Sequence, residues 1–328
     1  MTPPAGPYAD GLWAITSYFN PMRYRRRLQN FRIFRERLNV PLVAVEWTHG
    51  SEFELQEGDA DILIQLRGGA ILWQKERLLN LALRALPSHC RKVAWLDCDI
   101  IFGAPGWAES ASRLLDRFAI IQLFQHTHNL ASHWTPAKDC MTEVESTRLS
   151  STFSISSGMP AARCIAHSFD TREGMGANGH AWAARRELLQ QHGFYDACIV
   201  GGGDRAMICA AYRCFDELMQ RHYMNKHQQN RYVGWAKPFY ESIRGEIGHL
   251  EGDIFHLWHG DVRDRRSRGR HEGLQRFEFD PLTDIAIGTN GSWRWNTEKR
   301  EMHDYVRAYF ASRREDGLVG SAVSRAEI

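Results

Sequence analysis

The chain has 328 residues, of which 43% are hydrophobic and 24% are charged. This is the balance of an ordinary globular protein, and the length suffices for one large α/β domain or two small ones. The formal net charge of +2 is too close to zero to indicate binding to nucleic acid or to a membrane surface.

The first part of the chain alternates predicted strands and helices. Leu28, Phe31, Phe34 and Leu38 recur at helical spacing, and Leu78, Leu79, Ala82 and Leu86 form a second such stripe. In chain order we predict a flexible N-terminus over 1–11, a strand over 12–19, a helix over 24–38, strands over 41–47 and 61–66, a helix over 73–86 and a strand over 93–96. Such alternation predicts a mostly parallel sheet with crossover helices.

The pattern weakens after Trp107. Residues 126–177 are rich in Ser, Thr, His and Gly, so we expect loops with short elements there. The remaining predictions are helices over 182–192, 204–212 and 302–314, a strand over 253–258, a basic loop over 263–270, and a C-terminal tail over 315–328.

The cysteines and the N-terminal sequence indicate the cellular compartment in which we expect the protein. The seven cysteines include no Cys-x-x-Cys pair and their number is odd, so we expect reduced thiols. The N-terminal sequence MTPPAGPYADG lacks the basic and apolar regions of a secretory signal. No stretch approaches the roughly 18 apolar residues of a membrane-spanning helix. The expectation is a soluble, cytoplasmic protein, with peripheral membrane contact through a lipid-linked acceptor left open.

Asp97 and Asp99 directly follow the predicted strand over 93–96. Two carboxylates at this spacing repel each other unless a cation lies between or beside them. Mg²⁺ or Mn²⁺ meets that need and also holds phosphate oxygens. Ligands bind at the carboxyl ends of the strands in parallel sheets, which is where this pair falls. The alternative is a strand-end turn in which either aspartate caps local N–H groups.

Two further motifs lie downstream. His256 and His259 follow a predicted strand; His259 is the stronger candidate to complete a metal site with Asp99, and His256 is either a ligand or a support. The alternative is that both histidines make ordinary hydrogen bonds. Gly201–Gly203 allow close approach of a ligand, and Asp204 is then a general base. The alternative for Asp204 is a helix N-cap.

The order of these motifs resembles the GT-A glycosyltransferases. A D-x-D pair, a Gly-Gly-x-Asp loop that opens a helix and a His-x-x-His segment follow one another as in the β-1,4-galactosyltransferase-like group and related bacterial glycosyltransferases. The segment WQKERLLN over 73–80 is similar to that group's helix that touches the donor nucleotide. Segments 16–21 and 179–187 look like the turn beneath the nucleotide base and the wall of the donor-sugar site.

The resemblance covers about residues 12 to 310 and departs from the family at two positions. Asp204 is followed by Arg205 rather than by further acidic residues, and His256 stands where the family has methionine. The resemblance implies a single GT-A domain over 12–314 with a Rossmann-like, mostly parallel central sheet flanked by helices. Its nucleotide-binding half spans about 12–125, and the half that binds the acceptor and completes the metal site spans about 126–314.

The resemblance also implies roles for individual residues. Asp204 is the general base, and the ligands of Mn²⁺ or Mg²⁺ are Asp97, Asp99, His256 and His259. The basic loop could bind the diphosphate, because an arginine fork binds phosphate through two hydrogen bonds; the alternative is a solvated loop. The donor-binding residues are Thr16, Tyr18, Asn20, Trp73, Lys75, Asp97, Gly179, Arg263 and Arg266.

The implied activity is the transfer of a sugar from a nucleoside-diphosphate donor, with a UDP-sugar favoured, to a hydroxyl of a glycan or another acceptor. The implied mechanism is an inverting single displacement. Two other functions stay open. One is a metal-dependent phosphohydrolase that acts on nucleotide-sugars with a metal-bound water. The other is a catalytically silent protein that binds nucleotide-sugars or glycans.

Overall fold

A computed structural model of the protein describes residues 11–170, 174, 176–266 and 268–317. Its strands are β1 Leu12–Phe19, β2 Leu42–Thr48, β3 Ile62–Arg67, β4 Lys92–Leu96, β5 Ile100–Phe102, β6 Ile120–Gln122, β7 His126–Leu130, β8 Val144–Leu149, β9 Ala181–Arg185, β10 Ile247–His249, β11 Asp253–His256, β12 Ile285–Ile287 and β13 Trp293–Trp295. Its α-helices are α1 Arg25–Arg37, α2 Lys75–Ala85, α3 Trp107–Leu115, α4 Ser151–Ser156, α5 Ala161–Asp170, α6 Arg186–His192, α7 Gly203–Ala211, α8 Phe215–Arg221, α9 Lys226–Ile243, α10 Gly269–Gln275 and α11 Arg300–Ser312. Short 3-10 helices span Met141–Glu143 and Val262–Arg265.

Within the described residues, the central sheet has the strand order β10-β6-β9-β4-β1-β2-β3. Strand β1 is parallel to β2 and β4, β2 is parallel to β3, and β10 is parallel to β6. Strand β9 alone among them is antiparallel to both neighbours. One hydrophobic core packs this sheet against α2, α6, α7 and α9, and a second packs it against α1 and α3. The predicted α/β class, with a mostly parallel sheet flanked by helices, is confirmed.

The helix predicted over 182–192 is wrong in its first half. Ala181–Arg185 forms strand β9, and α6 begins only at Arg186. Alanine favours helices, but β9 is hydrogen-bonded between β4 and β6 and its residues 181–184 are buried. Small side chains let the covering helices approach both faces, so sheet pairing overrides helix propensity.

A second sheet, in the order β5-β11-β7-β8, takes two of its strands, β7 and β8, from the segment predicted as loops over 126–177. That segment holds β7, β8, α4 and α5, so its short elements are real but more regular than the composition indicates. Strand β11 runs antiparallel to β5 and parallel to β7, which places His256 opposite Asn129. The basic loop predicted over 263–270 is also partly helical, because it includes the end of a 3-10 turn and the start of α10.

Two findings bear on the surroundings of the protein. No helix among the described residues combines the length and apolar character needed to cross a membrane. All seven cysteines lie in the described part of the chain, and none of them forms a disulfide.

Residues 313–317, here called the C-terminal strap, belong to the folded domain. The backbone N–H groups of Arg25 and Arg26 donate to the Asp316 carboxylate over 3.1 and 2.8 Å. Asp316 thereby caps α1, whose own N-cap residue makes no side-chain cap. Glu315 is 2% exposed. The predicted tail over 315–328 is therefore wrong at its start, because distant partners hold these charged side chains in place.

The remote cap predicts a measurable contribution to stability. Asp316→Ala should lower the free energy of unfolding in urea by about 1 kcal/mol, because two N–H groups at the start of α1 lose their acceptor. Asp304→Ala is the matched control, since Asp304 is exposed in the middle of α11. Equal stabilities for the two variants would contradict the capping role.

Candidate active site

Loops at the carboxyl ends of β1, β4 and β11 surround a cavity of about 240 Å³. The N-terminal ends of α2 and α7 and the C-terminal end of α11 complete its wall. Loops at strand ends are free to present polar groups because their backbones are outside the sheet ladder. The predicted site residues that line this cavity are Asn20, Trp73, Lys75, Asp97, Asp99, Gly179, Asp204, His256 and His259.

Thr16 and Tyr18 do not line the cavity, in contrast to the prediction. Both are buried, and the Thr16 hydroxyl donates to the Leu96 carbonyl over 2.7 Å. Successive side chains of a strand point to opposite faces, so Ser17 and Phe19 line the cavity instead. Strand β1 therefore borders the cavity through the side chains that alternate with Thr16 and Tyr18.

Arg263 and Arg266 also lie outside the cavity. The Arg263 side chain is 72% exposed and pairs with Asp261. Arg265 and Arg270 of the same segment line the cavity. The segment folds as a 3-10 turn followed by α10, and the directions of these turns decide which arginines point inwards.

Asp99, His256 and His259 form a compact group of buried ligand atoms. One ligand atom from each residue lies within 4.8 Å of the others. His259 Nε2 is 3.2 Å from Asp99 Oδ2 and 3.2 Å from His256 Nε2, and His256 Nε2 is 3.8 Å from Asp99 Oδ1. Atoms that share a divalent ion at about 2.0–2.2 Å lie roughly 3 Å or slightly more apart. The spacing therefore fits one metal ion.

Protonation also suits a metal. Burial lowers the pKa of His256 and the pKa of His259, so both imidazoles are neutral near pH 7. His256 Nδ1 lies 3.0 Å from Asn129 Oδ1, and a neutral ring that donates its proton there turns the Nε2 lone pair towards Asp99. Asp99 Oδ1 is buried and has no hydrogen-bond partner among the described residues. Converging lone pairs repel each other unless a cation binds them, and this O/N donor set suits Mn²⁺ better than Ca²⁺.

Charged residues surround this group. Arg265 donates to His259 Nε2 over 3.0 Å, so a metal ion that takes that lone pair must displace this hydrogen bond. Glu315 Oε1 lies 3.7 Å from His259 Nδ1, near enough for a charge interaction but too far for a hydrogen bond, and His259 Nδ1 has no hydrogen-bond partner among the described residues. Burial alone would raise the pKa of Glu315, but Arg27 and Arg313 outweigh it and hold that pKa well below its usual range.

Asp97, predicted as a metal ligand, has different partners. Its carboxylate pairs with Lys75 and accepts the His180 backbone N–H over 3.2 Å. Lys75 also contacts both carboxylate oxygens of Asp204, at 2.9 and 3.1 Å. Burial disfavours the charged lysine, but the two carboxylates outweigh it and raise the pKa of Lys75 well above its usual value. Asp97 thus belongs with Lys75 and Asp204 and lies outside the compact ligand group of the described residues.

Asp204 lies in the first turn of α7, and the N-cap position belongs to Gly202. Gly202 has φ +102°, a conformation that favours glycine. A Cβ on Gly179 would lie 2.9 Å from Asp204 Oδ2, so this glycine allows the carboxylate to face the cavity beside it. Burial raises the pKa of Asp204 despite the nearby Lys75. A carboxylate with a raised pKa is a stronger base.

Trp73 forms an aromatic wall with Phe310. Their rings stack with centroids 6.1 Å apart and planes inclined by 17°. The Arg313 guanidinium lies 5.3 Å from the Trp73 ring centre. The Trp73 indole N–H is buried without a hydrogen-bond partner among the described residues.

Sequence reasoning did not single out several residues of the site. They reach the site from distant segments, so only the fold brings them together. The local signals were the basic composition of the segment that contains Arg265 and the resemblance of segment 179–187, which contains His180. These residues are Arg27, Asn129, Arg148, His180, Arg265, Arg313 and Glu315.

No protein-family model and no curated protein matches this chain. Among solved structures, the chain is similar to glucosyl-3-phosphoglycerate synthase from Mycobacterium tuberculosis, in a complex with Mn²⁺, uridine diphosphate and phosphoglyceric acid. The identity is 12% over 83% of this chain and 77% of that chain, with a TM-score of 0.40.

Two other solved structures are similar to a comparable degree. A mannosyltransferase from Pyrobaculum calidifontis, in a complex with GDP-Man and Mn²⁺, is 13% identical over 93% of this chain and 75% of its own, with a TM-score of 0.40. A Drosophila β-1,4-galactosyltransferase 7 mutant, in a complex with manganese, UDP-Gal and xylobiose, is 10% identical over 90% of this chain and 98% of its own, with a TM-score of 0.37. At such low identities and TM-scores, the likeness supports no inference about this chain's donor, acceptor or metal.

The Lys75 bridge predicts a pH-dependent loss of stability. Lys75→Met should lower the free energy of unfolding by about 2–3 kcal/mol near neutral pH, because two partly buried carboxylates lose their shared cation. Lys75 lowers the folded-state pKa of Asp97 against the effect of burial, so its stabilisation is present above the unfolded-state pKa of about 4 and is lost as the pH falls. In the variant, burial raises the carboxyl pKa values, and protonation at low pH relieves the repulsion.

Urea unfolding at a series of pH values should therefore show a stability difference that narrows as the pH falls. Lys138→Met is the control, because the Lys138 side chain is 44% exposed, so solvent screens its ion pair with Glu143 and that pair should contribute less. A difference that stays constant with pH would contradict the role of Lys75.

Proposed function

We propose that this protein is a metal-dependent glycosyltransferase of the GT-A class that uses a nucleoside-diphosphate sugar. One observation carries the proposal: the compact group Asp99, His256 and His259 shares a cavity with a base candidate, Asp204, and an aromatic wall at Trp73. A divalent cation balances the charge of a donor diphosphate, and an aromatic surface can stack against the nucleotide base. An acceptor hydroxyl needs a proton acceptor, which Asp204 can provide.

The donor is oriented by separate parts of the cavity. Trp73 and Phe310 offer a face on which a nucleotide base or ribose packs. Asn20 lies at the end of β1 on the same wall. Arg265 and Arg313 carry positive charge beside the ligand group, where a diphosphate would lie. When bound, the metal ion would supply Lewis-acid stabilisation of the leaving nucleoside diphosphate.

Asp204 performs the proton transfer in this proposal. The acceptor oxygen forms a bond to the anomeric carbon as the bond from that carbon to the diphosphate oxygen breaks. The hydroxyl proton passes to an Asp204 oxygen, and the diphosphate leaves with the bonding electron pair. Attack opposite to the leaving group inverts the anomeric centre. Lys75 keeps Asp204 ionised before the transfer, since its ammonium group favours the charged carboxylate.

The metal assignment predicts a metal-dependent affinity for uridine diphosphate. In the native protein, calorimetry should give an affinity for uridine diphosphate at least about tenfold higher with Mn²⁺ than with EDTA, because an ion held by Asp99, His256 and His259 would attract the phosphate oxygens. Asp99→Asn should remove most of the difference in affinity between Mn²⁺ and EDTA, since the side chain at position 99 then lacks the negative charge that would bind the metal ion. Asp139→Asn, at an exposed position, should behave as the native protein.

If uridine, guanosine and adenosine diphosphates all bind the native protein equally with and without Mn²⁺, the proposed function is wrong. An unaltered metal dependence in Asp99→Asn would instead remove only the ligand assignment.

The base assignment predicts a loss of turnover without a loss of donor binding. Asp204→Asn should keep the affinity for uridine diphosphate and Mn²⁺ within about twofold, while nucleoside diphosphate release from UDP-sugars with a panel of hydroxyl acceptors falls by about two to four orders of magnitude. Undiminished hydrolysis of the donor to free sugar in Asp204→Asn would contradict the proposal and favour a phosphohydrolase.

A further inference from the structure

The Nε2 atom of His259 has a contact that a role as a metal ligand does not require. Arg265 Nη2 donates a hydrogen bond to this atom over 3.0 Å. An arginine can only donate, so His259 Nε2 accepts and the proton of the neutral ring lies on Nδ1. The single lone pair of Nε2, which lies 3.2 Å from Asp99 Oδ2, is also the one that would bind the metal ion. Arg265 and a metal ion therefore require the same lone pair.

The charge of Arg265 also acts on the ligand group. Burial and Asp97 raise the pKa of Asp99 to about 7. The positive charges of Arg27 and Arg265 oppose that rise. The guanidinium of Arg265 thus gives Asp99 part of the positive charge that a divalent ion would give it. A divalent ion beside Asp99 and a guanidinium bonded to His259 would repel each other, so charge also favours one of the two cations at a time.

The Arg265 guanidinium has a second possible partner in the cavity that it lines. Its Nε atom is buried and has no hydrogen-bond partner among the described residues. Nε and Nη2 form one edge of the guanidinium, and two parallel N–H bonds of this kind match two oxygens of a phosphate. The hydrogen bond to His259 occupies half of that edge. Release of His259 would make the whole edge available to a diphosphate.

We infer that Arg265 couples metal binding to diphosphate binding: its guanidinium occupies the His259 lone pair until a nucleoside diphosphate binds that guanidinium, and the lone pair is then available to the metal ion. The inference rests on the proposed function, because it requires both ligands to bind in this cavity. Each ligand favours the position of Arg265 that suits the other. Each should therefore raise the affinity of the protein for the other.

Manganese alone is the first probe, titrated by calorimetry in the absence of nucleotide. Arg265→Met should bind Mn²⁺ about threefold to tenfold more tightly than the native protein, because a hydrogen bond and a positive charge no longer compete with the ion. Misfolding cannot produce such a gain in affinity. Adding Asp99→Asn to Arg265→Met should abolish the binding, which assigns the ion to this ligand group. Arg300→Met is the control and should bind Mn²⁺ as the native protein does, because Arg300 is 86% exposed and lies outside the cavity lining.

Uridine diphosphate is the second probe, titrated into protein saturated with Mn²⁺. Arg265→Met should weaken its binding by about tenfold or more, since the diphosphate loses a charge-assisted, bidentate partner. Arg265→Lys keeps the charge but lacks the planar fork, so its affinity for uridine diphosphate should be intermediate. The factor by which uridine diphosphate raises the affinity for Mn²⁺ should also be smaller in Arg265→Met than in the native protein.

Opposite changes in the two affinities distinguish this coupling from a structural role, which would weaken the binding of both ligands. Weaker or unchanged Mn²⁺ binding in Arg265→Met would overturn the inference, because the arginine would then not compete with the ion. An unchanged affinity for uridine diphosphate in that variant would also overturn it. Failure of every nucleoside diphosphate to bind the native protein with metal is a different result, which removes the proposed function itself.

Discussion

The shared cation Lys75 is the interaction on which the arrangement of the cavity depends. Asp97 at the end of β4 and Asp204 at the start of α7 belong to segments that are 107 residues apart, yet both carboxylates meet one ammonium group. Two partly buried carboxylates would otherwise repel or take up protons. Because Lys75 begins α2, the position of that helix fixes both aspartates and the Trp73 wall beside it. The same principle operates at Glu315, which two arginines keep ionised next to His259.

The sequence was sufficient to predict the helices and strands whose apolar residues recur at regular spacing. Strand β1, helix α2 and strand β4 follow from apolar spacing, because each has a face that must be buried. It was insufficient for β9, where an alanine-rich segment has the composition of a helix and becomes a strand through its two neighbours. Strands β7 and β8 of the second sheet were missed for a related reason, since this half-exposed pair contains many polar residues, whereas β11 falls within the strand predicted over 253–258.

For the candidate site, local motifs predicted which segments meet but not which atoms pair. The two histidines and Asp99 come together, whereas Asp97 turns to Lys75, because a spacing of two residues does not determine where each carboxylate points. Because side chains alternate along strand β1, Ser17 lines the cavity and the predicted Thr16 does not. In the basic segment, the 3-10 turn directs Arg265 into the cavity, whereas the predicted Arg263 lies outside it. Glu315 carried no local signal, because its partners are remote in sequence.

The C-terminal strap has a consequence for the order in which the protein matures. Arg27 and Glu315 are separated by 288 residues along the chain, and Asp316 caps the helix that contains Arg27. During synthesis, α1 leaves the ribosome long before its cap, and the histidines emerge before the glutamate that adjoins His259. Closing so long a loop is a late and slow step in folding. A nascent chain therefore lacks the complete surroundings of the Asp99, His256 and His259 group until Glu315 has been synthesised.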